Sequence, residues 1–295
     1  MENRLWWKWQ YRTAPYLFIA PFFILFAIFT FYPFFYSFYL SFVEWNGSAR
    51  KIFVGPDNYI ALVQDHSFWR SLGNSVLIFF LYVPLMLMLA LIFAVCLNKA
   101  WMIGRGFFRT AFFIPNVISV VAVSFVFAII FNQHEGLLNV VLSNLDLIKE
   151  PIRWLETPFW AQASVALMVL YRWTGYNMLL LLAGLQSIPK DLYEAAVMDG
   201  ANASQIFLRI TVPLLRRILL FCTVLSTIGT FSLFTEPFIL TKGGPLDATM
   251  TPVLLLYRES FQNFNFGYAS SIAVCFFFLM LILTLLQMRL LGDKD

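Results

Sequence analysis

The chain has 295 residues, of which 60% are hydrophobic, 19% are aromatic and only 12% are charged. Soluble domains carry about 25% charged residues, so this composition excludes an ordinary water-soluble enzyme. The apolar surface is too abundant to be buried in one aqueous core, and a lipid bilayer is the environment that can accept the excess.

Long runs without charge predict the membrane spans. A helix needs about 20 apolar residues to cross a hydrocarbon core of about 30 Å. Four charge-free runs exceed that length, and two further apolar windows carry one charge each, Arg172 and Glu236. We therefore predict an all-α membrane protein, with a bundle of six transmembrane helices in a single transmembrane domain, 1–295. The predicted spans are 14–38, 75–97, 110–131, 161–185, 218–240 and 267–290.

The segments between the spans are short and carry turn residues. A turn at 53–59 and a short interfacial helix at 59–72 are expected before span two. A basic inner loop at 98–109 and an outer loop at 132–158 flank span three. An inner segment, 186–217, follows span four, and an outer loop, 241–266, follows span five.

The distribution of basic residues predicts the orientation. With the N-terminus inside, the cytoplasmic segments hold 12 Lys and Arg against 6 Asp and Glu, whereas the outer loops hold 7 against 9. This bias places both termini in the cytoplasm, and the net charge of +4 is then no argument for nucleic acid. A signal peptide is the competing interpretation of the first run, but that run is about twice as long as a signal h-region.

Several kinds of chemistry are excluded by missing motifs. The sequence has no phosphate-binding loop, so the chain is not expected to hydrolyse ATP itself. Its two histidines, His66 and His134, are far apart and predict no metal site. The three cysteines lie in apolar segments and offer no outer disulfide framework. A membrane-embedded enzyme acting through unrecognised residues is a minor alternative.

The inner segment 186–217 carries a recognisable motif. A helix is expected over 192–198, a chain reversal at Gly200, and a second helix from about Ala203. Within it stand Glu194-Ala195-Ala196, three residues, Gly200, nine residues, and Ile210-Thr-Val-Pro213. A helix, break, helix unit of this kind suits docking to a partner, although an amphipathic helix lying on the membrane is the simpler alternative.

This pattern resembles the EAA motif of the permease subunits of binding-protein-dependent ABC importers, specifically the carbohydrate group. The family has Leu before the proline where this chain has Val212, a change that keeps the apolar character. The resemblance extends through most of the chain. Similar pieces are Phe53-Val-Gly-Pro-Asp57-Asn58-Tyr59, Phe68-Trp69, Gly104-Arg105 with Phe108-Arg109, Leu182-Ala-Gly-Leu-Gln-Ser-Ile-Pro189 and Leu240-Thr-Lys-Gly-Gly-Pro245.

The resemblance implies a transport assembly in a bacterial or archaeal cytoplasmic membrane. Its expected partners are a second permease, more commonly a sister chain, two ATP-binding subunits and an extracytoplasmic solute-binding protein. The chain would then be non-catalytic and hold no cofactor, since ATP and magnesium would bind to the partner subunits. The resemblance implies that 186–217 is a cytoplasmic coupling loop between spans four and five, in which the helix over 192–199 is a coupling helix seated in a cleft of the ATPase. The residues that it assigns to this contact are Glu194, Ala195, Ala196, Asp199, Gly200, Ala201, Ile210 and Pro213.

The candidate substrate pathway lies in spans four and five. A path for sugars needs aromatic surfaces for ring faces and polar groups for hydroxyls. Arg172, Tyr176, Asn177 and Glu236 are the residues predicted to line it. Trp173 is as well explained by packing, and Ser226 and Thr227 are expected to mediate helix packing. The two charges could form a pair, occupy one polar cavity separately, or bond backbone carbonyls.

The outer motif Lys242-Gly243-Gly244 is a candidate contact for the binding protein, although a plain turn explains it equally well. The predicted function is therefore that of an importer permease for a sugar, oligosaccharide or sugar-derived polyol. The alternative is an ion-coupled secondary transporter. Against that alternative, the sequence shows no inverted repeat, and Glu236 is its single intramembrane acid.

Overall fold

The computed structural model describes residues 2–99 and 102–291, and 76% of it is helical. Residue 1, residues 100–101 of the predicted loop 98–109, and residues 292–295 of the predicted inner C-terminus lie outside the described part. The helices are α1 (Glu2–Phe26), α2 (Tyr32–Leu40), α3 (Asp57–Gln64), α4 (His66–Asn98), α5 (Arg105–Val117), α6 (Val120–Ile130), α7 (Leu137–Asn144), α8 (Pro158–Ser187), α9 (Lys190–Met198), α10 (Ala203–Ile206), α11 (Val212–Leu214), α12 (Arg216–Phe231), α13 (Thr235–Leu240), α14 (Pro252–Tyr257) and α15 (Phe266–Leu291). Single π-helical turns occupy Ala27–Phe31, Phe207–Thr211 and Arg258–Gln262.

The helical stretches agree with the predicted spans. Within the described residues, five are long and apolar enough to cross a membrane, and a bent pair makes a sixth when it is counted as one span. The prediction of an all-α membrane protein is confirmed. The five stretches are Thr13–Leu40, His66–Asn98, Pro158–Ser187, Arg216–Leu240 and Phe266–Leu290.

The predicted third span, 110–131, is not one straight helix. It consists of α5 and α6, whose axes meet at 93°. The backbone of Ile118 and Ser119 between them is extended, with ψ values of 144° and 127°, and this ends one helix before the next begins. The absence of charge over 110–131 did not predict the bend, because it marks an apolar stretch without saying where a helix ends.

The expected interfacial helix at 59–72 is also divided differently. Helix α3 begins at Asp57 and ends at Gln64, and Trp69 lies in the first turns of α4. The side chain of Asp65 accepts a hydrogen bond of 2.7 Å from the backbone N–H of Ser67, which caps α4 at this point. Asp57 and Asn58, expected to form a local turn, instead open α3.

One compact unit comprises the residues up to Gln64 together with Arg258–Cys275. Its strands β1 (Val43–Glu44) and β2 (Ile52–Phe53) pair antiparallel, with Val43 opposite Phe53. The amide of Asn58 donates to the carbonyls of Ser41 and Val43, at 2.9 and 3.1 Å, and so joins α3 to this hairpin. A Cβ on Gly267 would overlap the carbonyl oxygen of Val43, so glycine permits this close approach.

The second unit comprises Asp65–Tyr257 together with the residues from Phe276 onward, and its core is the contact between α4 and α8. Ile78 and Met86 of α4 are fully buried among side chains that include Val165 and Met168 of α8. Helix α5 also lies directly on α8, where a Cβ on Gly175 would overlap the carbonyl oxygen of Phe112. The small residue therefore sets the distance between these two helices.

Candidate functional site

A cavity of about 520 Å³ lies inside the second unit, in the predicted spans four and five. It is bounded by α4, α6, α8, α12 and the start of α13, and by the chain that connects α12 to α13. All four predicted pathway residues line it. The lining includes Tyr82, Arg172, Trp173, Tyr176, Asn177, Leu225, Ser226, Gly229, Ser232, Phe234, Thr235 and Glu236.

The two intramembrane charges form a direct ion pair. Nη1 of Arg172 donates to Oε1 of Glu236 at 3.1 Å, and both residues are buried. An isolated charge at the centre of a bilayer costs about 2.5 to 3.5 kcal/mol on insertion scales, so neutralising each other lowers the cost of keeping these two residues within membrane spans. The structure thus decides among the three arrangements that the sequence left open.

Next to this pair, the cavity wall is aromatic. The rings of Trp173 and Tyr176 lie 5.6 Å apart and almost perpendicular, at 88°. The amide nitrogen of Asn177 donates to the carbonyl of Trp173 at 2.9 Å and therefore already has a partner within α8. The hydroxyl of Tyr82 bonds that of Thr230 at 2.6 Å. The wall thus combines ring faces with a few fixed polar atoms.

The predicted span five is interrupted beside the cavity. Residues 232–234 are not helical, and α13 begins at Thr235. Pro237 has no N–H to offer the carbonyl of Leu233 four residues earlier, and the hydroxyl of Thr251 donates to that carbonyl instead. Irregular backbone at membrane depth is tolerated where protein groups satisfy it or where it lines a cavity, and both conditions hold here.

The two residues expected to mediate packing differ in their surroundings. Thr227 accepts a hydrogen bond of 2.7 Å from the side-chain amide of Gln287, so it joins α12 to α15 as expected. Ser226 instead lines the cavity. Sequence spacing could not separate these adjacent residues, because the direction in which each side chain points depends on how α12 is rotated against its neighbours.

The outer motif is a tight, well-bonded turn. Lys242 and Gly243 have φ values of 53° and 89°, and the backbone N–H of Gly243 donates to the carbonyl of Pro237 at 3.3 Å. The N–H of Gly244 donates to the carbonyl of Thr241 at 2.9 Å. Lys242 is exposed, whereas Gly243 is buried against Met250, so the charged residue is the accessible part of this turn.

Two buried amides, which we did not single out in the sequence, fasten this outer loop to the helices. Asn74 of α4 donates to the carbonyls of Asp247 and Met250, at 2.7 and 3.0 Å. Gln162 of α8 donates to the carbonyl of Ala248 at 2.7 Å and to Oδ1 of Asn74 at 3.2 Å. In the sequence, the feature that could have indicated this role is the position of each amide residue at the start of an apolar span.

The predicted coupling helix is present as α9 and is largely exposed. Glu194, Ala195 and Asp199 face away from the chain's own interior, and Ala196 is buried. The exposed face also carries Met198, with 87% of its surface accessible. Small and apolar side chains in this position suit contact with another protein.

The turn after α9 is built as the motif predicts. Gly200 has a φ of +77°, which favours glycine, and the N–H of Ala201 donates to the carbonyl of Ala196 at 2.9 Å. Apart from the two residues next to it in the sequence, no group of the described chain lies within 4 Å of a Cβ built on Gly200. The requirement for glycine at this position therefore comes from the left-handed backbone conformation of Gly200.

The second half of the motif continues the same loop in helical turns. A capping box between Asn202 and Gln205 starts α10, and Ile210 lies in the π-helical turn that follows it. Pro213 is exposed in α11. The hydroxyls of Tyr193 and Thr211 are 3.3 Å apart, so a polar contact joins α9 to this turn.

Comparison with known proteins gives the family. Residues 59–293, which include the cavity, the outer loop and the coupling segment, match the model of the family described as "Binding-protein-dependent transport system inner membrane component". The chain belongs to this family. The resemblance drawn from the EAA motif is thereby confirmed, and nothing found supports an ion-coupled carrier.

Similar proteins include sugar permeases. This chain is 38% identical over 283 residues to the lactose transport system permease protein LacF of Rhizobium radiobacter, and the match covers 95% of this chain and 94% of LacF. It is 35% identical over 292 residues to the trehalose/maltose transport system permease protein MalF of Thermococcus litoralis, covering 98% of each. A bacterial ABC transporter that imports the acidic polysaccharide alginate has a chain of the same fold, with a TM-score of 0.83, 23% identity and 98% coverage of both chains.

Membership also settles the broad class of activity. The inner membrane component is a non-catalytic, multi-pass part of a transporter that depends on a binding protein. Its cavity, with the paired Arg172 and Glu236, lies within the matched residues. The cavity is therefore the candidate for the place where a solute passes.

Proposed function

We propose that this chain forms the membrane path of an ABC importer for a carbohydrate, namely a sugar, an oligosaccharide or a sugar-derived polyol. The observation that carries the proposal is the cavity in spans four and five, where an aromatic wall meets a buried ion pair. The names of two relatives, for lactose and for trehalose and maltose, support the same class of solute.

The chemistry of the cavity matches that of a sugar. A pyranose ring has an apolar face that packs on aromatic rings, as Trp173 and Tyr176 would allow, and hydroxyl edges that need donors and acceptors. Arg172 supplies donors and Glu236 supplies acceptors on the same wall. Each sugar hydroxyl can both donate and accept, so it can bond either member of the pair.

Energy would come from partner chains. We propose that α9 docks into a cleft of an ATP-binding subunit, with Glu194 at the interface and Ala195 permitting close approach. The remaining contacts would involve Ala196, Asp199, Gly200, Ala201, Ile210 and Pro213. The exposed face of α9 and the left-handed turn at Gly200 support this role. Two such subunits, carrying ATP and magnesium, and a sister permease would complete the assembly, with both termini of this chain in the cytoplasm.

The outer loop would receive the solute-binding protein. We propose Lys242, Gly243 and Gly244 as part of that contact, because Lys242 is exposed on a loop that Asn74 and Gln162 hold rigidly to two helices. A preorganised loop loses little conformational freedom on binding, and this favours docking of a partner protein.

The proposal is tested by uptake in proteoliposomes that contain the complete transporter. Lactose and maltose, each with loaded binding protein outside and ATP inside, are the solutes to measure. Replacing Trp173 by alanine should reduce uptake about tenfold, since an aromatic contact is worth up to about 1.5 kcal/mol. Trp69→Ala, at a residue that is 54% exposed and outside the cavity, is the matched control. Equal uptake by both variants would refute the assignment of the path.

A further inference from the structure

The charged lining of the cavity is balanced. Among its lining residues in the described part of the chain, Arg172 and Glu236 are the two that carry a formal charge, and they are of opposite sign. Their contact at 3.1 Å leaves this wall with no net charge. All other polar groups lining the cavity are hydroxyls, amide and indole groups or backbone.

The pair does not use all of the hydrogen-bonding capacity of Arg172. A guanidinium has five N–H donors, and the ion pair engages one of its nitrogens, Nη1. Arg172 is 91% buried, and within the described residues its Nε atom has no hydrogen-bond partner. A buried donor of this kind is costly to leave unpaired, so the chain's own groups do not fully satisfy Arg172 beside the cavity.

A neutral ligand and an anion would meet this wall differently. A hydroxyl can accept from Arg172 or donate to Glu236 while the ion pair stays intact. A carboxylate, phosphate or sulfonate would be repelled by Glu236, or would have to take Arg172 from it and leave Glu236 buried and unpaired. Removing the partner of a buried charge is strongly unfavourable.

We propose that the Arg172–Glu236 pair makes this cavity selective for neutral polyhydroxylated ligands over anionic ones, with Glu236 as the residue that excludes anions. This inference rests on the proposed function, because it assumes that a carbohydrate enters the cavity. It gives the pair a role beyond bracing α8 against α13. A brace alone would lower stability when broken but would leave the choice between neutral and acidic sugars unchanged.

The test is saturation-transfer NMR on the complete transporter in lipid nanodiscs, which detects weak ligands. Methyl glucoside and methyl glucuronide are the probes, since they differ only in a hydroxymethyl group against a carboxylate. The wild type should favour the glucoside. Glu236→Gln should shift the binding ratio toward the glucuronide by about tenfold, because it leaves the Arg172 charge unopposed. Glu259→Gln, which removes an acid in contact with Arg258 outside the cavity lining, is the control and should leave the ratio unchanged.

The outcomes separate the two ideas. If the glucoside does not bind, or if its binding is unchanged in Trp173→Ala, the proposed function itself would be contradicted. Glucoside binding with an unchanged ratio in Glu236→Gln would overturn the selectivity inference alone. If that variant fails to assemble, the wild type still decides, because equal binding of both probes to the unmodified transporter would overturn the inference.

Discussion

Asn74 is the residue whose replacement tests how the outer loop is held. Its side chain donates to the carbonyls of Asp247 and Met250, at 2.7 and 3.0 Å, and accepts from Gln162 at 3.2 Å. Each net hydrogen bond contributes about 0.5 to 1.5 kcal/mol, and double-mutant cycles within membranes average about 0.6. Asn74→Ala should therefore lower the free energy that holds the loop 241–266 against α4 and α8 by about 2 to 4 kcal/mol.

Hydrogen exchange measures this loss directly. The backbone amides of Gly243, Gly244, Ala248 and Thr249 all donate to carbonyls within or next to this loop. A loss of about 3 kcal/mol corresponds to about a hundredfold faster exchange at these amides, since 1.4 kcal/mol is a factor of ten. Asn144→Ala, at an exposed position that ends α7, is the control.

The same variant tests the proposed role of the loop. Because the proposal requires a rigid loop for the binding protein, Asn74→Ala should also reduce the stimulation of ATP hydrolysis by loaded binding protein. Exchange rates within a factor of three of the wild type would refute the argument that these two carbonyl contacts hold the loop. Fast exchange with normal stimulation would refute only the link from loop rigidity to docking.

Four further predictions follow from the coupling helix, the broken span, the ion pair and the missing phosphate loop. The chain purified alone should show no ATP hydrolysis, and activity in a preparation free of partner subunits would contradict the family assignment of roles. Gly200→Leu should reduce both the retention of ATP-binding subunits through purification and uptake in cells, because φ is +77° there, while Gly200→Asn should be milder. Thr251→Val should lower the free energy of unfolding by about 1 to 3 kcal/mol, because the Leu233 carbonyl loses its donor, whereas Thr251→Ser should keep the hydrogen bond. Equal melting temperatures for the two variants would exclude a stabilising role for this hydrogen bond. Arg172→Met and Glu236→Gln should each impair uptake, and the double variant should be less damaged than the summed losses, whereas strict additivity would argue against functional coupling across the pair.

The sequence was informative wherever a feature depends on neighbouring residues. Hydropathy and helix length located the spans, since a crossing helix needs a continuous apolar stretch of its own. The EAA motif located α9 and the turn at Gly200 for a similar reason, because helix propensity and a left-handed turn are local properties. The four residues predicted to line a pathway, all of which line the cavity, stood out in the sequence because polar and charged groups are costly in a membrane.

The tertiary structure decided what depends on packing between distant segments. Arg172 and Glu236 are 64 positions apart, and their contact requires a particular rotation of α8 and the restart of a helix at Thr235. The bend between α5 and α6, and the amides of Asn74 and Gln162 on the outer loop, have the same origin. No local pattern specifies which side chain of an apolar helix meets which carbonyl, because that choice follows from how the helices pack against one another.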